Sequence, residues 1–124
     1  MSNGDELVLR VRAACADLPE VEERLSHGAP AFFVRGKRSF LQLWPSGHHD
    51  HDFPHLWCAA ADGVQGARVA DDPARFFRPP YVGHRGWLGV RLDGDISDGD
   101  LEEWCEDAYR AIAPATLVRV LDSR

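Results

Sequence analysis

The chain has 124 residues, 44% of them hydrophobic and 27% charged, and its formal net charge is -6. That is the length of a single domain over residues 1–124 with enough apolar material for one core. Aromatics at 10%, four Trp among them, exclude disorder over most of the length, and no apolar run approaches the roughly 18 residues of a membrane span.

The start, Met1-Ser2-Asn3-Gly4-Asp5-Glu6, lacks the basic and apolar stretches of a secretory signal, which predicts a cytoplasmic protein. Leu7, Val8, Val11, Ala14, Cys15 and Leu18 recur at helical spacing and predict a first helix. Asn3 followed by Glu6 resembles a capping box for it. Pro19 ends that helix or opens a short second one, with Val21 and Leu25 turned inward. Ser26 to Pro30 carries Gly and Pro without periodicity and reads as a loop.

Strands follow. Ala31–Arg35 is aromatic and branched, Gly36-Lys37 suits a hairpin turn, and Arg38–Trp44 alternates, with Phe40 and Gln42 on one face and Leu41 and Leu43 on the other. Pro45–Pro54 is a polar loop, and His55–Ala60 a third strand. Asp62-Gly63 opens a short helix over 64–69. Asp72-Pro73 is a second helix start that holds Phe76 and Phe77 in its turn. Arg78-Pro79-Pro80-Tyr81 is extended, because residues before Pro avoid the helical region. Gly83–Gly86 is a turn, and Trp87–Leu92 a strand with Trp87, Gly89 and Arg91 on one face. Leu101, Trp104, Cys105, Ala108, Tyr109 and Ile112 form the clearest helical stripe, capped by Ser97 and stopped by Pro114. Thr116–Leu121 forms a last short helix or tail. Strands in the middle with amphipathic helices at both ends predict α+β, an antiparallel β-sheet with the N- and C-terminal helices packed on one face.

Charge divides along the same lines. Residues 1–26 carry three basic and six acidic side chains, residues 27–91 eight and five, and residues 92–124 three and nine. An anionic partner would be steered toward the middle segment. Its cations and aromatics assign a candidate nucleic-acid surface to Arg35, Lys37, Arg38, Arg78, His84, Arg85, Trp87 and Arg91, with Trp57 and Tyr81 on the same open sheet face.

Other chemistries are less well supplied. His48, His49, Asp50, His51, Asp52 and His55 put imidazoles beside carboxylates, a donor set that suits zinc, nickel or copper. No H-E-x-x-H helix or CxxC accompanies them, so His48, His49, His51 and His55 are candidates for adventitious binding and no metal is assigned. The carboxylates Asp98, Asp100, Glu102, Glu103, Glu106 and Asp107 serve helix capping and solvation. Cys15, Cys58 and Cys105 sit among apolar neighbours and read as buried thiols. No nucleophile motif, P-loop or dinucleotide fingerprint occurs. His27, His84, Ser26 and Cys58 do not compose a catalytic set, so no enzyme activity and no cofactor are expected.

The motif order carries a resemblance. Leu18-Pro19-Glu20-Val21, Ser26-His27-Gly28-Ala29-Pro30-Ala31-Phe32 and Arg35-Gly36-Lys37 are followed by Asp72-Pro73-Ala74-Arg75-Phe76-Phe77. Pro79-Pro80-Tyr81-Val82-Gly83-His84-Arg85-Gly86-Trp87 and Asp107-Ala108-Tyr109-Arg110 complete the set. Nearly the whole chain thus resembles the MmcQ/YjbR family of small bacterial proteins. The resemblance implies a frataxin (CyaY)-like α+β fold and a DNA-binding label, with no catalytic residues and no cofactor. The expected function is non-enzymatic DNA binding through the basic and aromatic sheet face. The alternative is a module that binds a protein or small ligand, as a monomer or homodimer, with no membrane partner.

Overall fold

A computed structural model describes residues 3–48 and 51–124, the side chain of Asn3 excepted. The Asn3–Glu6 capping box, and His49 and Asp50 of the histidine-rich stretch, lie outside the described residues. Helix α1 is Asn3–Cys15. Strands β1 (Val21–Ser26), β2 (Ala29–Val34), β3 (Arg38–Trp44) and β4 (His55–Cys58) follow, then helix α2 (Val64–Asp71), strand β5 (Phe76–Phe77), a 3-10 turn at Gly83–Arg85 and strand β6 (Leu88–Arg91). Helices α3 (Asp98–Ile112) and α4 (Ala115–Asp122) complete the chain. The six strands form one antiparallel sheet in the order β1-β2-β3-β4-β6-β5, which is the α+β architecture expected. No described helix is long and apolar enough to cross a membrane.

Several local expectations change. Val21 and Leu25 do not belong to a helix but to β1, and Leu25 is 73% exposed. Positions four apart fit a strand face as well as a helix face, so spacing alone does not decide between them. The turn decides: His27 and Gly28 both have positive φ, 54° and 79°, the backbone of a tight two-residue hairpin that folds β1 onto β2. Asp72-Pro73 starts only a single turn, closed by Phe76 N–H to the Asp72 carbonyl at 3.0 Å. Phe76 and Phe77 then pair with Val90 and Gly89, and the following Pro-Pro prevents any helical continuation. Tyr81 is left-handed rather than extended, with φ 64°.

β3 contains one residue more than its partner. Phe32 faces Leu41 and Phe33 faces Ser39, so Phe40 is extra and the ladder is bulged. Phe40 is thereby turned to the same side as Leu41 and Leu43, and all three are fully buried. Phe40 meets the Tyr109 ring of α3 edge-on at 5.6 Å. The helical side of the core is completed by Leu7, Val11 and Cys15 of α1 and by Leu101, Trp104, Cys105 and Ala108 of α3. A fully buried Leu or Val contributes about 1.5–3 kcal/mol, so these stripes, rather than helix propensity, hold the helices down. Ser97 caps α3 by accepting from Asp100 N–H at 3.0 Å, and Asp98 and Asp100 place negative charge at its positive end.

The Tyr109 hydroxyl donates to the Pro19 carbonyl at 2.7 Å in a buried bond between α3 and the α1–β1 connection. Tyr109→Phe leaves that carbonyl unpaired and is expected to destabilise the fold by about 1–2 kcal/mol. The check is urea unfolding, with a lower midpoint at unchanged slope.

Candidate functional site

The bulge fixes which side chains face away from the helices. Phe33, Ser39, Gln42, Trp44, Trp57 and Trp87 lie on the helix-free side and, with Ser26, His27, His48, Tyr81, Val82 and Arg85, line a groove of about 740 Å3. Its floor runs across the sheet, since Gln42 pairs with Trp57 and Trp57 with Gly89. Gly89 is needed there: a Cβ would come 2.4 Å from the Phe77 ring, which packs against this position. The Trp44 and Trp57 rings are 5.0 Å apart at 61°. His48 packs at 4.4 Å from Trp44 and 5.3 Å from Trp57, and Tyr81 at 6.3 Å from Trp57.

Polar groups are few and held in place. The Gln42 amide N–H donates to the Ser26 and Ala29 carbonyls at 3.0 and 3.2 Å, which fixes its orientation and leaves its Oε1 as an acceptor. The Gln65 amide donates to the Gly83 and Trp87 carbonyls at 2.9 and 2.6 Å and ties down the loop that carries Arg85. The Arg85 guanidinium lies 5.1 Å from the Trp87 ring centre, a cation–π contact at the groove's rim. Tyr81 is held between Pro80 and Val82, whose N–H reaches the Pro80 carbonyl at 2.6 Å across it. A three-residue turn with positive φ at a tyrosine is strained, and strain of this kind collects at ligand sites.

The structure does not bring all the candidate residues together in the groove. Of the eight predicted residues, Arg85 and Trp87 line the groove. Arg35, Lys37 and Arg38 are grouped beyond its Ser39 end, around the β2–β3 turn, where Arg35 is ion-paired with Glu20 at 3.2 Å. Arg91 is on the open face but bonded through two nitrogens to Asp93, at 3.0 and 2.7 Å, and its guanidinium covers Phe53 at 3.9 Å. That contact holds the Asp93 carboxyl below its usual range. Arg78 lies across Gly83 and His84 is exposed on the 3-10 turn. Lys37, Arg38, Arg78 and Arg85 have no ion-pair partner among the described residues. Trp44 and Gln42 were not singled out by sequence. The signal was there in a glutamine set inside the apolar run Leu41-Gln42-Leu43-Trp44.

Three histidines of the 48–55 stretch, His48, His51 and His55, pack into an aromatic layer. His51 packs on Phe53 and Phe77, and His55 on His51, Trp44 and Trp57. Among the described residues no group of three or more His, Cys, Asp or Glu is placed to hold a metal ion. His55 is fully buried, and its Nδ1 lies 2.8 Å from the Phe53 carbonyl, so the proton sits on Nδ1. Burial pushes its pKa down, with His51 and His48 adding to the effect. A second cavity of about 360 Å3 opens on the helical side between α2 and α3. Its arginines, Arg68 and Arg110, are already paired with Glu103 and Glu106, and it offers few convergent polar groups.

A protein-family model described as YjbR matches residues 16–111. No curated protein matches the sequence. Among solved structures, the chain is similar to the crystal structure of Deinococcus radiodurans protein DR2400, which carries a DUF419 domain. The TM-score is 0.70 at 18% identity, over 88% of this chain and 80% of that one. At that identity the likeness speaks for the fold.

The His55 environment has a measurable consequence. In the unfolded chain the imidazole takes up a proton near its ordinary value of 6.5, whereas the folded chain resists it. The unfolded state therefore binds more protons just below that value, so stability is full above it and falls as the pH drops through it. Urea midpoints between about pH 7.5 and 5.5 should decline, and His55→Phe should flatten the decline. Equal slopes in the two proteins would remove His55 as its source.

Proposed function

Since the chain belongs to the YjbR family, we propose that it is a non-enzymatic recognition module whose open-face groove takes a planar ring carrying an anionic group. One observation carries this reading: a concave aromatic groove of about 740 Å3 with Arg85, which has no ion-pair partner among the described residues, at its rim. Its size is that of a small-molecule site. Stacking a planar ring on indoles contributes about 1–3 kcal/mol per ring. The guanidinium is the matching partner for a carboxylate or phosphate on that ring.

A second reading has its own support. The family commonly carries a DNA-binding label, and Lys37, Arg38 and Arg78 add cations outside the groove that have no ion-pair partner among the described residues. A single strand would place a base in the groove and its backbone along these residues. The net charge of -6 favours a short contact over a long basic track.

Tryptophan fluorescence with thymidine 5′-monophosphate and with a short oligothymidylate tests both readings. Binding of the mononucleotide is expected, weakened about tenfold in Arg85→Ala. If the groove serves a strand, Arg35→Ala, Lys37→Ala and Arg38→Ala together weaken only the oligomer and flatten its salt dependence. No change in emission with either ligand at millimolar concentration removes the groove as the working surface.

A further inference from the structure

Trp44 and Trp57 hold a feature that packing does not account for. They are 8% and 6% exposed, and their Nε1–H groups are buried without an acceptor among the described residues. A buried indole N–H normally finds a partner, and leaving one unmade costs about 1–3 kcal/mol. Two such donors stand on adjacent rings in one groove. Gln42 neighbours both, directly opposite Trp57 and two residues before Trp44. Its N–H groups are spent on the Ser26 and Ala29 carbonyls, so it can offer the groove only an acceptor. Trp44, Trp57 and Gln42 thus bring two donors and one acceptor to the groove, whose lining also holds the His48 ring and the Ser39 hydroxyl.

We infer that the groove reads the edge of its ligand: Trp44 and Trp57 donate to ring carbonyl oxygens, and Gln42 accepts from a ring N–H. This rests on the groove reading above and narrows it to heterocycles with a lactam or imide edge. The class includes free nucleotides and bases exposed at the end of a single strand. Rings without carbonyls stack but leave both indole donors unpaired, the situation in which a binding site discriminates most sharply. To reach the floor the ligand displaces rings packed on it, His48 and Tyr81 among them, and Tyr81, 67% exposed and on a strained turn, is placed to swing aside.

The test uses the intact chain and three probes read by calorimetry: thymidine 5′-monophosphate, its N3-methyl derivative and phenyl phosphate. The unmethylated nucleotide should bind about tenfold more tightly than the other two. Trp44→Phe and Trp57→Phe keep a stacking ring but lose the donor. Each should weaken the nucleotide about tenfold more than it weakens phenyl phosphate. In the original protein the Nε1–H resonances of Trp44 and Trp57 should move downfield with the nucleotide while those of Trp87 and Trp104 stay. Equal binding of all three probes, which needs no variant, overturns edge reading while the groove stands. Binding of none overturns both.

Discussion

One surplus residue in a strand decides what each side of this sheet is for. At Phe40 the β2–β3 ladder takes in an extra position, and every side chain beyond it changes sides relative to strict alternation. Leu41 and Leu43 go under the helices, while Gln42 and Trp44 come to the uncovered side. Phe40 is itself buried against Tyr109, so the irregularity is fixed by the same contact that seats α3. Losing it would turn two leucines to solvent and a glutamine into the core, which is why hydrophobic burial specifies this register strongly.

The two faces are held by different physics. The helical side is an apolar stack stitched at its margins by ion pairs such as Arg10–Asp98 and Arg12–Glu23. These are at least partly exposed and contribute little energy, though they orient the helices. The uncovered side has no such cover and protects itself with rings. Arginines lie on several of them: Arg24 over Phe33 at 3.7 Å, Arg91 over Phe53 and Arg85 over Trp87. Most of these guanidinium groups are spent within the protein. A sum of positive charge along the middle segment therefore overstates what an anion outside would meet.

Much of the architecture was legible beforehand. The stripe from Leu101 to Ile112 with its Ser97 cap defines α3 almost to the residue, and the Trp87-Gly89-Arg91 alternation gives the correct face of β6. What was not legible depends on backbone sign and on partners distant in sequence. The strand at Val21–Ser26 follows from left-handed His27 and Gly28, and β5 follows from a pairing with Val90 and Gly89. The same holds for the candidate site. The aromatic face could be named from composition, but Arg35 and Arg91 could not be recognised as already engaged. Trp44 joined the groove only because of the bulge.

The turn at Tyr81 has a further implication. A tyrosine kept at φ 64° sits uphill of the conformations open to it. The loop that follows is pinned by Gln65. A molecule arriving at the sheet would draw on the strain at Tyr81, because relaxing that residue offsets part of the cost of opening its cover. The protein would then answer its visitor more like a sprung latch than a rigid mould.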